Sequence, residues 1–127
     1  MQAHANDLRA EVEQGWSSVA GALGSAPAPA DLDAFVHQVV DDWRRCRLRP
    51  ALADLLEFAE KVTRTPAACT ADDLAGLRAA GWSDADVHDA VQVIAYFNYI
   101  NRVADALGVA LESGLPCWGS AARNARD

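Results

Sequence analysis

The chain has 127 residues and a mass of 13.5 kDa, a size that fits one domain with one hydrophobic core. Because 51% of the residues are hydrophobic, the chain has enough apolar material to fold, which excludes intrinsic disorder for its bulk. The 18 acidic residues outnumber the 11 basic ones, and a net charge of −7 argues against nucleic acid as a partner, since it repels a phosphate backbone.

The first two predicted elements are amphipathic helices separated by a linker. Apolar residues recur at helical spacing from Leu8 to Leu23, which predicts a first helix over about residues 4 to 23. The Ala- and Pro-rich stretch Gly24–Ala30 is typical of a linker. Asp31 is then the predicted N-cap of a second helix, which ends in the basic run Arg44–Arg47.

Three further helices follow, each with its own start or stop signal. Pro50 predicts the first turn of a third helix, which closes before the next proline. Thr70–Asp73 and Ser83–Asp86 resemble capping boxes, so a fourth helix is expected to end at Gly81 and a fifth to run from about Asp84 to Leu107. Since no segment alternates with the period of a strand, the sequence predicts an all-α fold of about five helices.

No part of the sequence predicts a membrane span or a signal peptide. The most apolar stretch, Val93–Ile100, has eight residues and is interrupted by Asn98, whereas a transmembrane helix needs about 20. The N-terminal residues carry several charges and no apolar run. We therefore expect a cytoplasmic protein with no membrane partner.

The three cysteines, Cys46, Cys69 and Cys117, are widely and irregularly spaced. Their spacing matches neither a redox Cys-x-x-Cys pair nor a zinc site, so the sequence predicts no metal and no cofactor. Cys46 follows a run of arginines, whose positive charge would lower the pKa of an exposed thiol. This context makes Cys46 a hypothetical reactive thiol.

The apolar face of the predicted fifth helix turns polar half-way along its length. Steps of three and four residues from its apolar part lead to Asn98, Asn101 and Asp105. Because an unsatisfied buried amide costs about 1–3 kcal/mol, Asn98 and Asn101 should bond to a neighbouring helix or line a wet cavity. Arg102 has Asp105 or Glu60 as possible partners. A structural role and a pocket or subunit-interface role both stay open.

Aromatic residues surround one turn of the same helix. Tyr96, Phe97 and Tyr99 present aromatic surface on nearly every side, more than a small monomer covers completely. This pattern indicates a homo-oligomer that assembles through the fifth helix.

Several local motifs occur in order between residues 50 and 109. They are an Ala-Glu-Lys-x-Thr helix end at 59–63, a Gly-x-Ser-Asp helix start at 81–84, and a Phe-Asn-x-x-Asn-Arg run at 97–102 with a terminal Ala-Asp-x-Leu-Gly. The segment resembles the peroxidase-related branch of the alkylhydroperoxidase D-like (AhpD-like), carboxymuconolactone decarboxylase superfamily. The resemblance implies one helical domain over residues 1–109, a tail over 110–127, and assembly into dimers, trimers or hexamers.

The resemblance also implies where peroxidase chemistry would be found. In that superfamily it belongs to a Cys-x-x-Cys-x-x-x-His motif with an acidic residue upstream. The segment Gln2–Arg9 is similar to the part of that motif around its histidine, so His4 would be the catalytic histidine and the second cysteine would fall immediately before Met1. The 127 residues contain no such dithiol, and a histidine alone does not reduce a peroxide, because the reaction needs an attacking thiolate and a resolving thiol.

Three functions stay open at this point. In the first reading, the chain is a truncated or shifted-start version of an antioxidant, thiol-dependent peroxidase-like enzyme, and a thiol reductant is then a partner. Alternatively, it is a short member of the superfamily that has lost redox chemistry and works as an oligomeric binding or scaffold module. In the third reading it keeps a non-redox pocket of the decarboxylase type, built around Asn98, Asn101, Arg102 and His4.

Overall fold

The computed structural model of the chain describes residues 2–14 and 32–110, and these residues form helices and no strand. The all-α prediction is confirmed for this part of the chain. The helices are α1 (Gln2–Gln14), α2 (Leu32–Asp42), α3 (Pro50–Arg64), α4 (Ala71–Ala79) and α5 (Asp84–Ala106), with short 3₁₀ turns at Trp43–Arg45 and Pro66–Ala68. None of the helices in the described ranges is both long and apolar enough to cross a membrane.

The contacts divide the described residues into two compact units, one within Met1–Leu48 and one over Arg49–Val109. In the first unit α1 packs on α2, and Val12 and Val36 are buried between them. At the exposed edge of this contact, the Arg9 guanidinium on α1 donates to the Asp33 carboxylate on α2 across 2.7 Å.

Helix α2 ends earlier than the sequence predicted. The basic run was expected to belong to its last turn, but the helix stops at Asp42 and Trp43–Arg45 forms a 3₁₀ turn. The reason is local capping: Asp42 has an extended backbone, and its carboxylate accepts a hydrogen bond from the Arg44 backbone N–H across 3.1 Å. An aspartate that caps a following turn ends the helix that precedes it.

The second unit is a three-helix arrangement in which α4 and α5 both pack on α3. Phe58 of α3, Leu77 of α4 and Val87 of α5 are buried together at its centre. Trp82, in the connection between α4 and α5, lies against this cluster and donates its indole N–H to the Ala51 carbonyl across 2.8 Å. This contact holds the α4–α5 connection on the first turn of α3.

The predicted capping signals of α4 and α5 are confirmed. The Asp73 carboxylate accepts from the Thr70 backbone N–H across 2.7 Å, and Ser83 and Asp86 exchange hydrogen bonds of 2.9 and 3.1 Å. Gly81 has a φ of 103°, a left-handed conformation that favours glycine after a helix. These local devices set the position at which α5 starts.

Three sequence predictions concern segments that the structure does not describe. The predicted end of the first helix at Leu23, the linker Gly24–Ala30 and the tail beyond Ala110, with Cys117, lie outside the described residues.

Candidate functional site

Helix α5 has two faces of different composition, and the candidate site is built on them. On the side that packs against α3 and α4, Val87 is buried and Val91 is half-buried against the core of the second unit. The same side continues toward the C-terminus with Asn98 and Asn101, both half-buried. The polar half of this face therefore lies against the last turns of α3 rather than in the apolar core.

Asn98 and Arg102 bind the C-terminal end of α3. The Asn98 side-chain amide donates to the Thr63 hydroxyl across 3.1 Å, and that hydroxyl donates to the Ala59 carbonyl across 2.8 Å. The Arg102 guanidinium donates to the Asn98 carbonyl across 3.0 Å and to the Thr63 carbonyl across 3.2 Å. Asn98 thus bonds to a neighbouring helix, the first of the two alternatives that the sequence left open for it.

The Arg102 contact has a clear physical basis. The last carbonyls of a helix have no intrahelical donor, and the negative end of the helix dipole lies there, so a cation that donates to such a carbonyl is stabilising. Glu60, named from the sequence as a possible partner of Arg102, forms an ion pair of 3.0 Å with Arg64 on its own helix. Arg102 therefore caps α3 from the outside.

The opposite face of α5 is apolar and exposed. Its large side chains include Tyr96, Phe97, Tyr99 and Val103, and the rings of Tyr96 and Phe97 pack edge to face with centroids 5.6 Å apart. We call the apolar residues of this side, Val93, Tyr96, Phe97, Tyr99, Ile100, Val103 and Leu107, the outer face of α5; all are exposed except Ile100, which is half-buried. Between Val93 and Leu107 the outer face carries no charged residue, because Arg102 and Asp105 lie on the other side of the helix.

The exposure of this face depends on the neighbours of the helix. The apolar residues of α5 cover most of its circumference. Within its unit, α5 packs against α3 and α4 on one side only. The arrangement of partners, and not the composition of the helix, decides which of its apolar residues are buried.

A cleft of about 450 Å³ lies between α3 and α4. Its floor includes Phe58 and Leu77, and its rim carries the carboxylates of Asp54, Glu57 and Asp72. Asn98 and Arg102 are not among its lining residues. The cleft is therefore separate from the pocket that the third functional reading would build around those two side chains.

One edge of this cleft is closed by an ion pair. The Lys61 ammonium donates to both oxygens of Asp73 at 2.7 and 2.8 Å. This hydrogen bond from Lys61, together with the one from the Thr70 backbone, lowers the pKa of Asp73 below its ordinary value. The pair joins the last turns of α3 to the first turn of α4.

Cys46, the hypothetical reactive thiol, is half-buried directly after the 3₁₀ turn. Burial raises the pKa of its thiol, and the negative charge of Asp42 adds to the increase. The raised pKa is opposite to the lowered pKa expected from the neighbouring arginines. One of these arginines, Arg44, places its guanidinium over the Trp43 ring, 4.4 Å from the ring centroid.

His4 lies within α1, but its side chain is outside what the structure describes. In the described ranges no group of three or more histidine, cysteine, aspartate or glutamate side chains converges to hold a metal ion.

Sequence reasoning included Thr63 in the Ala-Glu-Lys-x-Thr helix end but gave its side chain no role in the site. The local signal for such a role was a threonine in the last turn of a helix, where its hydroxyl bonds back to the carbonyl four residues earlier. Its second role, as the acceptor for Asn98, depends on how α5 crosses α3.

No family model matches the sequence, and no curated protein matches it. The interpretation of the site therefore depends on its own geometry.

Proposed function

We propose that the described residues form a self-associating helical module of the alkylhydroperoxidase D-like kind. In this homo-oligomer α5 is the contact helix, and the module performs no thiol chemistry of its own. The observation that carries the proposal is the outer face of α5, a charge-free apolar surface on a chain with a net charge of −7. Monomeric proteins rarely expose a large contiguous apolar patch, and such patches mark interaction sites.

The size of the outer face supports a specific interface. Tyr96, Phe97 and Tyr99 are 60%, 37% and 64% exposed. Since an aromatic side chain buries about 150–250 Å² when it is covered, the three expose roughly 300 Å² together. Val93, Val103 and Leu107 extend the patch to the order of 500 Å², near the upper end for a monomer. Two such faces in contact bury about 1,000 Å², the least that a specific interface needs.

The polar residues of α5 support a structural role rather than a reaction. Asn98 donates to the Thr63 hydroxyl and Arg102 to the Thr63 carbonyl, and these two hydrogen bonds hold α5 on α3. The Cys46 thiol has a raised pKa, whereas peroxide reduction needs an accessible thiolate. Neither group is placed for redox catalysis.

Light scattering on the purified chain at micromolar concentration tests the proposal. The expected mass is a multiple of 13.5 kDa for the native sequence and one chain for Tyr96→Glu, because a buried carboxylate opposes the contact. Ala95→Glu places the same charge on an exposed position outside the outer face and should keep the oligomer. Circular dichroism checks that both variants stay helical. A native mass of one chain would overturn the proposal.

Thiol-dependent peroxide reduction with a thiol reductant is the second candidate, favoured by one observation. The residues that resemble the peroxidase-related branch span the same stretch as the compact unit Arg49–Val109. Peroxide consumption with a dithiol donor separates the candidates: we expect none from the 127 residues. Activity that returns only when a segment with Cys-x-x-Cys precedes Met1 would support the second candidate. Activity of the 127 residues themselves would contradict the first.

A further inference from the structure

We infer that α5 pairs with α5 of a second copy in antiparallel orientation, about a two-fold axis that passes between Ile100 and Val103. This inference rests on the proposed self-association and specifies its geometry. It goes beyond that proposal because it names the facing residues and the direction of the two helices.

The first argument is the spacing of the outer face. Val93, Tyr96, Ile100, Val103 and Leu107 follow one another at intervals of three, four, three and four residues. This is the heptad spacing of a helix that packs along a partner helix, with Val93, Ile100 and Leu107 at a positions and Tyr96 and Val103 at d positions. Four of these five side chains are exposed and Ile100 is half-buried. This stripe, which we call the seam, therefore has an apolar residue at each of its five a and d positions, and the described residues leave it uncovered.

The second argument concerns direction. The same stripe continues toward the N-terminus with Asp89 at the preceding d position, and its side chain is 82% exposed. In a parallel, in-register pair, Asp89 of one copy would face the partner's Asp89, which places two like charges against each other in the seam. In the antiparallel pair Asp89 lies beyond the end of the partner's α5, so the two Asp89 carboxylates do not meet. Antiparallel helices also align their dipoles favourably.

The third argument is the fit of the facing residues. In an antiparallel pair a positions face d positions, so Ile100 lies against the partner's Val103 and Tyr96 against the partner's Leu107. The flanking aromatic residues meet small residues: Phe97 lies beside the partner's Ala104, and Tyr99 beside the partner's Ala106. Large side chains opposite small ones allow the two helices to approach without voids. A two-fold axis makes every contact occur twice.

Disulfide cross-linking tests the inference in the full-length chain with Cys46, Cys69 and Cys117 replaced by serine. A Tyr96→Cys chain is mixed with a Leu107→Cys chain that carries an affinity tag, and a mild oxidant, diamide, is added. Since contact raises the effective concentration from about 10 micromolar to about 1 millimolar, mixed dimers should form on the order of 100-fold faster than from an Ala95→Cys control chain mixed with the same tagged chain. Tyr96→Cys alone should not cross-link faster than this control, because in the antiparallel pair the two Tyr96 positions are roughly 16 Å apart along the helix axis.

The outcomes distinguish this inference from the proposed function. Fast cross-linking of Tyr96→Cys with itself would show a parallel pair and overturn the inference. Slow cross-linking of both samples, while light scattering still shows an oligomer, would also overturn it and leave self-association standing. A single-chain mass for the native sequence would overturn both.

Discussion

Asn98 of α5 donates its side-chain amide to the hydroxyl of Thr63 on α3 across 3.1 Å and joins two residues 35 positions apart. The contact satisfies a half-buried amide and a helix-end hydroxyl with each other. The apolar core does not accept the polar half of the α5 side that packs against α3. Through this hydrogen bond, that polar half joins the two helices instead.

The first prediction concerns the energy of this pair. Asn98→Ala and Thr63→Val should each lower the free energy of unfolding by about 1 kcal/mol, because each removes the hydrogen bond between the two side chains. Thr63→Val also removes the hydrogen bond from the hydroxyl to the Ala59 carbonyl. The double variant should lose less than the sum, with a coupling energy of about 0.5–1 kcal/mol. Urea denaturation measures all three values. Gln92→Ala, an exposed amide on the same helix, serves as the control and should change little. Strictly additive losses would show that the pair contributes nothing.

The second prediction is a pH dependence that arises from Asp73. Its pKa is lower in the folded state than in the unfolded chain, chiefly because Lys61 donates to its carboxylate. Such a group contributes stability that is complete above its unfolded pKa of about 3.9 and is lost as the pH falls through the folded pKa. Asp73→Asn should therefore make the protein less stable at neutral pH and flatten its loss of stability below about pH 4.

The control for this experiment is Asp72→Asn. Asp72 lies in the same first turn of α4 and is exposed, but it takes no part in the Lys61 ion pair. Urea midpoints between pH 7 and pH 3 should decline as steeply in this variant as in the native chain. An equal decline in Asp73→Asn would contradict the assigned cause.

The third prediction compares two glycines with open space around them. A Cβ atom at Gly81 or at Gly76 would meet no atom within 4 Å, so sterics with neighbours do not distinguish them. Gly81 has a φ of 103°, whereas Gly76 lies inside helix α4. Gly81→Ala should destabilise by about 1–2 kcal/mol because of the left-handed backbone. Gly76→Ala should stabilise by about 0.5–1 kcal/mol because alanine favours a helix.

Thermal unfolding of the two variants checks this comparison. The opposite signs of the two shifts in Tm are the diagnostic result. A gain in stability from Gly81→Ala would show that the chain does not adopt the positive φ at this position.

The fourth prediction concerns the reactivity of Cys46. Since burial and Asp42 raise the pKa of its thiol, less thiolate is present near neutral pH than in a free thiol. A chain in which Cys46 is the only cysteine should therefore be alkylated by iodoacetamide more slowly than N-acetylcysteine at pH 7. Asp42→Asn should raise the rate, because it removes one of the two causes. Alkylation faster than the reference would revive the idea of an activated thiol.

Local signals account for the elements that sequence reasoning placed well. Pro50 begins α3, the Ser83 and Asp86 box begins α5, and Gly81 follows α4, each within a residue or two of its prediction. These signals act through hydrogen bonds between residues three or four positions apart or through the backbone preference of one residue. No knowledge of the tertiary fold is needed to interpret them.

The end of α2 shows the limit of such reasoning. A basic run suits a helix C-terminus, but Asp42 competes for the same segment by capping the next turn. Both tendencies are worth about 1 kcal/mol or less. Sequence alone does not decide between local preferences of similar strength.

The sequence by itself determined the helical class, the starts and stops of α3 to α5, and the fact that α5 carries more apolar and aromatic surface than a small unit covers. Only the tertiary structure decided which side of α5 is covered. The packing of α3 and α4 on one side buries Val87 and directs Asn98 and Arg102 to the end of α3, and it leaves Tyr96 and Val103 exposed. The reason is physical: periodicity defines which residues share a face, whereas burial depends on contacts between residues far apart in the chain.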